Sequence, residues 1–206
     1  MPVLYAIGYL LIRIFSKTLF RIKTSGQENF PRKGGFILAA NHISYYDPPL
    51  LGSWAPRVVC FMAKQELFQH WLLGAIIKRT NALPLNRHGF DRQAIKISLT
   101  KIREGLGLVV FPEGTRSKSG EFRKPKAGVG LLAGHARCPI IPAYIEGPNH
   151  LKDCFWGRRK MRIVYGEPIS SEWITSRPDG KAGYEEITNE VMRRIGHIRD
   201  SVANLK

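Results

Sequence analysis

His42 and Asp47 stand five positions apart in Asn41-His42-Ile43-Ser44-Tyr45-Tyr46-Asp47-Pro48, and the apolar run Phe36–Ala40 comes directly before them. A run of that length and composition reads as a buried strand, so His42 falls where the strand ends. Loops held at the end of a rigid sheet often carry reactive groups. Two prolines follow Asp47, so a helix is expected to begin there, with Asp47 as N-cap and Pro48 at its first position. In a strand-turn-helix of this kind the carboxylate folds back onto the imidazole. One ring nitrogen is then fixed as a donor, and the other is left free to take a proton. The plainer alternative is that Asp47 only caps a helix and His42 only satisfies a turn.

A second polar stretch, Phe111-Pro112-Glu113-Gly114-Thr115-Arg116-Ser117, follows the apolar run Gly107–Val110. Gly114 allows close backbone approach to a ligand. Arg116 offers a planar fork of donors suited to phosphate. Thr115 and Ser117 add hydroxyls and, with their neighbours, amides for an anion-binding turn. The competing reading is a surface turn with a Glu113–Arg116 ion pair, worth little if exposed. The spacing is not that of a P-loop, so nucleotide hydrolysis has no support.

Two further segments share the order. Asn81-Ala82-Leu83-Pro84-Leu85-Asn86-Arg87 sets another Arg after a short apolar stretch, and residues 139–147 read as a Pro-bounded buried strand. With these four blocks in this order the chain resembles the glycerolipid acyltransferase family, which includes 1-acylglycerol-3-phosphate acyltransferases. The His-x4-Asp and Phe-Pro-Glu-Gly-Thr-Arg blocks carry the likeness, and the Arg87 and Pro142 blocks add to it. The likeness implies that His42 is the general base for the acceptor hydroxyl and that Asp47 orients it. It implies that Glu113, Gly114, Thr115 and Arg116 hold a glycerol phosphate acceptor, with Arg87 and Lys64 adding positive charge. The hydroxyl would attack a thioester directly, with acyl-CoA or acyl carrier protein as co-substrate and no other cofactor.

Rival chemistries lack their residues. No Gly-x-Ser-x-Gly elbow occurs. Cys60 sits in an apolar run and Cys138 precedes a proline, so both read as packing residues. No Cys or His spacing argues for a bound metal.

The charge of +16 and pI near 10.1 call for an anionic partner. The basic residues are dispersed and no nucleic-acid-binding motif stands out, so an anionic membrane surface is the expected partner rather than nucleic acid. Residues 1–27 contain no acid, while Arg13, Lys17 and Arg21 form one helical stripe with Leu4, Ile7, Leu11, Phe15 and Leu19 broadly opposite. Such a helix suits a membrane interface. Its apolar stretch falls short of the ~20 residues needed to span. The alternative is a helix that docks on the protein's own core. The small, odd cysteine count fits a reducing compartment, so the cytoplasmic face of the membrane is expected, with peripheral or monotopic attachment.

The elements that must hold these groups follow from pattern. Asp91 caps a helix marked by Ile95, Leu99 and Ile102, and residues 67–77 read as another helix. Residues 126–136 form a Gly-rich helix expected to pack on the sheet, and Ile187, Val191, Ile195, Ile198 and Val202 stripe a closing one. Residues 152–162 hold a basic aromatic cluster suited to headgroups or the acyl donor. Strands alternating with helices make a single α/β domain, a central mixed sheet flanked by helices. The expected organisation is an amphipathic membrane-associating segment at 1–30 and an acyltransferase domain at 31–206. The expected activity is acyl transfer from a thioester to the sn-2 hydroxyl of 1-acylglycerol 3-phosphate, giving phosphatidic acid. Glycerol 3-phosphate or another lysophospholipid is the alternative acceptor, and a non-enzymatic basic membrane- or nucleic-acid-binding protein is the alternative class.

Overall fold

Strands that read as unbroken apolar runs need cover on both faces, which is the situation of parallel strands in an α/β sheet. The computed structural model describes residues 3–69, 81–85 and 91–204 and shows that arrangement. Seven strands form one mixed sheet: β1 (Lys23–Ser25), β2 (Phe36–Ala40), β3 (Val59–Lys64), β4 (Ala82–Leu85), β5 (Gly107–Val110), β6 (Ile140–Glu146) and β7 (Arg162–Tyr165). Their order is β1-β7-β6-β2-β5-β3-β4. Every pairing is parallel except β6 with β7. The sheet therefore draws its edge strand β1 from within residues 1–30.

The helices are α1 (Val3–Phe20), α2 (Asp47–Trp54), α3 (Arg92–Arg103), α4 (Gly128–Ala136), α5 (Leu151–Phe155), α6 (Ser171–Thr175) and α7 (Lys181–Ala203). Alternate side chains of each strand enter different cores. Phe36, Leu38 and Ala40 of β2, with Ile141, Ala143 and Ile145 of β6, face α1, α2 and α5. Ile37 and Ala39 of β2, with Ile140, face α3, α4, α6 and α7. The Asp91 cap forms as expected, its carboxylate accepting from Ala94 N at 2.9 Å. The Gly-rich α4 packs on α7 rather than on the sheet alone. A Cβ on Gly130 would stand 1.9 Å from the Tyr184 carbonyl oxygen, so only glycine permits that approach. The helix expected at 67–77 lies mostly outside the described residues.

Helix α1 docks along one side on the protein's own core. Tyr9 and Ser16 are buried, and Ile12 and Phe20 pack on the core. Arg13 is exposed but does not point freely into solvent. Its guanidinium donates to the carbonyls of Ser53 and Ala55 at the end of α2. Cations at a helix C-terminus stabilise the exposed carbonyls there. Trp54 Nε1 donates to Ser16 Oγ at 3.0 Å, which locks the two helices together. The opposite face stays bare: Ile7, Leu10, Leu11, Ile14, Phe15 and Leu19 are all between 40% and 57% exposed. No helix among the described residues is long and apolar enough to cross a membrane.

Candidate active site

The strand register brings the chemistry-bearing loops together. Ala39 of β2 pairs with Val110 of β5, and Ala40 pairs with Ala143 of β6. β2 and β5 therefore finish within one residue of each other while β6 runs on to Glu146, and the His42 and Glu113 loops leave side by side. The chain runs from β2 toward β3 on one side and from β5 to β6 on the other. Crevices at such a reversal, outside the carboxyl ends of the strands, are where open α/β sheets bind ligands.

Asn41 continues the β2–β6 ladder with its side chain. Its amide donates to the Ile145 carbonyl at 2.9 Å, and its Oδ1 accepts from Ile145 N at 2.8 Å. This substitutes for backbone pairing and frees His42 to turn out of the sheet. Helix α2 then starts one residue earlier than expected: Tyr46 is the N-cap and Asp47 the first helical residue, with Pro48 next. The Asp47 carboxylate thus points back into the turn. Its Oδ2 accepts from His42 Nδ1 at 2.8 Å, from Ile43 N at 2.7 Å and from Ser44 N at 2.8 Å. Asp47 is fully buried and His42 nearly so. A buried carboxylate on Nδ1 places the proton there, leaving Nε2 as the basic nitrogen. It also stabilises the imidazolium formed when Nε2 takes a proton.

The second loop holds the first. The His42 ring stacks on Phe111, with centroids 4.0 Å apart and planes 18° from parallel. Ser117 N donates to the His42 carbonyl at 2.7 Å. Glu113 is 2% exposed, and its two oxygens accept from two backbone amides: Oε1 from His42 N and Oε2 from Arg123 N, both at 3.0 Å. Its carboxylate therefore joins the His42 turn to the far end of its own loop.

Because Glu113 is engaged in this way, it does not neutralise Arg116. Among the described residues no carboxylate lies within 4 Å of Arg116. The guanidinium instead lies over the Tyr45 ring, 3.3 Å from its centroid. Tyr45 is itself 73% exposed. Stacking of this kind orients a guanidinium while leaving its N–H groups for an anion. Gly114 has a left-handed φ of 68°, and a Cβ there would meet Lys126 Cδ at 2.9 Å. Lys126 thus lies alongside the loop and adds a second cation, which no spacing pattern singled out. Thr115 is half-buried in the same loop. Lys64 closes β3 at the same edge of the sheet, and its side chain is outside the described residues, as is the whole of Arg87.

The three thiols stand apart from this centre. Cys60, Cys138 and Cys154 are buried and unbridged. Burial pushes Cys60 and Cys138 up to about 12 and also raises Cys154. A thiol so raised supplies no thiolate nucleophile near neutral pH. No group of three or more metal-ligating side chains occurs among the described residues.

The acyltransferase family model matches residues 21–146, a span that holds the whole of this centre. A 1-acyl-sn-glycerol-3-phosphate acyltransferase from Bacillus subtilis is 30% identical over 185 residues, 89% of this chain and 91% of that protein. A lyso-ornithine lipid O-acyltransferase from Pseudomonas aeruginosa is 32% identical over 184 residues, covering 80% of this chain and 69% of that one. The crystal structure of the 1-acyl-sn-glycerophosphate (LPA) acyltransferase PlsC from Thermotoga maritima superposes with a TM-score of 0.71 at 26% identity, over 95% of this chain and 81% of that one. Sequence and fold agree, and this chain belongs to the acyltransferase family.

Proposed function

We propose that the chain transfers a fatty acyl group from a thioester to the sn-2 hydroxyl of 1-acylglycerol 3-phosphate, forming phosphatidic acid for phospholipid biosynthesis. The observation that carries this reading is a buried Asp47–His42 pair beside a phosphate-competent, un-neutralised Arg116. The names borne by the Bacillus and Thermotoga relatives support the choice of acceptor. His42 Nε2 removes the hydroxyl proton as the oxygen attacks the thioester carbonyl. The tetrahedral intermediate collapses, the C–S bond breaks, and the departing thiolate takes the proton back from the imidazolium. Direct transfer is consistent with the absence of an activated thiol among Cys60, Cys138 and Cys154. Arg116, with Lys126 beside Gly114, holds the acceptor phosphate, and Arg87 and Lys64 add positive charge. Glu113 serves by positioning His42.

Attachment to the membrane is part of the proposal. The bare apolar face of α1 lies in the interface, with the domain on the cytoplasmic side where acyl-CoA and acyl carrier protein are found. Each half-exposed Leu or Phe that enters the acyl boundary contributes on the order of 1 kcal/mol. Replacing Leu10 and Phe15 together by glutamate should lower vesicle co-sedimentation at least ~10-fold, since about 1.4 kcal/mol is one decade. Unchanged sedimentation would place the membrane contact elsewhere.

Two kinetic measurements test the chemistry. Thiol release from palmitoyl-CoA or a palmitoyl carrier protein should require 1-acylglycerol 3-phosphate and proceed poorly with glycerol 3-phosphate or an uncharged lysolipid. Equal release with and without acceptor would make the protein a thioesterase. Arg116→Ala should raise the acceptor KM by ~10–100-fold, the value of one charge-assisted contact of about 1.5–3 kcal/mol. The donor KM should stay put. Equal effects on both constants would assign Arg116 to the architecture of the loop.

A further inference from the structure

A polar cavity of about 630 Å³ lies at the same edge of the sheet, beside the His42 turn. Its floor is made by Asn41, Ile43, Tyr144 and Glu146. Asn41 continues the alternation of Ile37 and Ala39, and Tyr144 and Glu146 that of Ile140. These belong to the core beneath α4 and α7, whereas α1 covers the opposite core. The cavity floor therefore lies on the face of the sheet opposite the core that α1 covers, while its basic rim follows α5, which packs with α1.

The cavity is rimmed by Arg158, Arg159 and Lys160. Gly147 makes this rim possible. It adopts φ 99°, and a Cβ there would stand 2.7 Å from the Lys160 carbonyl oxygen. The chain around residue 160 thus packs directly on the end of β6. The Asp153 carbonyl accepts from Arg158 N at 2.8 Å and Arg159 N at 3.2 Å, which pins the basic run in place. The nearby acids are already engaged: Glu146 faces Arg162 at 3.5 Å, and Asp153 faces Arg159 at 3.9 Å. Arg158 and Lys160 have no carboxylate within 4 Å among the described residues.

We infer that this cavity binds the phosphate-bearing pantetheine arm of the acyl donor and leads its thioester past Asn41 and Ile43 to the His42 turn. The inference rests on the acyl-transfer reading. Its size falls in the ~300–1,000 Å³ range of ligand pockets, and it is concave, whereas a bilayer would meet a convex surface. Arginine and lysine supply the phosphate recognition. A water-soluble polyanion would arrive from the aqueous side, drawn by the surplus positive charge. The same chemistry is present in coenzyme A and in a carrier protein bearing phosphopantetheine.

Equilibrium binding by calorimetry tests this without turnover, using coenzyme A, holo-carrier protein and apo-carrier protein. Wild type should bind coenzyme A, holo-carrier or both, and should bind apo-carrier more weakly than holo. The pattern identifies the source of the arm. Substituting Arg158, Arg159 and Lys160 together by Gln should weaken that binding and raise the donor KM at least ~10-fold, the loss of about one charge-assisted contact. The acceptor KM should not move. Should the triple variant fold poorly, Arg158→Gln with Lys160→Gln retains the Arg159–Asp153 pair and should show the same direction. Unchanged donor constants would overturn the inference, and so would apo-carrier binding as tightly as holo. A variant that instead loses vesicle binding, with donor constants intact, would assign the basic rim to lipid headgroups. Wild type that binds the arm but transfers no acyl group would leave this site standing and overturn the proposed activity.

Discussion

Replacing His42 by alanine should lower kcat by about 10²–10⁴-fold, the usual contribution of a positioned general base. The expectation comes from the site's asymmetry. Nδ1 is committed to a fully buried carboxylate, so the imidazole has one nitrogen left to accept a proton. The fold should survive the change. The backbone N–H of residue 42 still donates to Glu113, its carbonyl still accepts from Ser117, and Asp47 keeps the amides of Ile43 and Ser44. Thiol release at saturating substrates, together with a thermal melt, checks both halves. An unchanged kcat in a folded variant would remove His42 from the mechanism.

Glu113→Gln should act through stability first. Both carboxylate oxygens accept from backbone N–H groups, and a carboxamide can accept from only one. The other amide would face an NH₂ group, donor to donor. A buried group left unsatisfied costs about 1–3 kcal/mol. For a chain of this size that corresponds to about 2–4 °C of Tm per kcal/mol. Activity should fall as well, because one of the broken contacts holds the backbone of His42. The melting temperature separates this role from acceptor binding. A variant with an unshifted Tm and a raised acceptor KM would return Glu113 to the phosphate.

The site was unevenly legible. The His42–Asp47 turn closes over five residues, so composition and order alone imply it. The strands at Phe36–Ala40 and Gly107–Val110 were equally plain, because fully buried parallel strands leave unbroken apolar runs. The role of Glu113 was not legible. Its partner lies 71 positions away, and the plainer local reading, an ion pair with Arg116, is the one the fold excludes. Phe111 carries no pattern that announces ring stacking, nor does Lys126 announce its place beside Gly114. Arg13 reads as a membrane-facing cation at helical spacing, yet it serves α2, 40 positions along.

The sequence by itself determined the chemistry-bearing types, their order along the chain, the strand ends that carry them and the amphipathic character of the N-terminus. These depend on contacts within a few residues, where spacing and propensity decide the outcome. Only the tertiary structure decided which groups stay available. Strand register set the β5 loop beside the β2 turn, and that placement engaged Glu113 with backbone amides and left Arg116 stacked on Tyr45 with no carboxylate partner among the described residues. It also left one side of α1 bare and gathered a basic rim at the strand ends beside the His42 turn. Such choices rest on partners 71 to 104 positions apart. No local pattern encodes them, because what selects them is the pairing of whole strands.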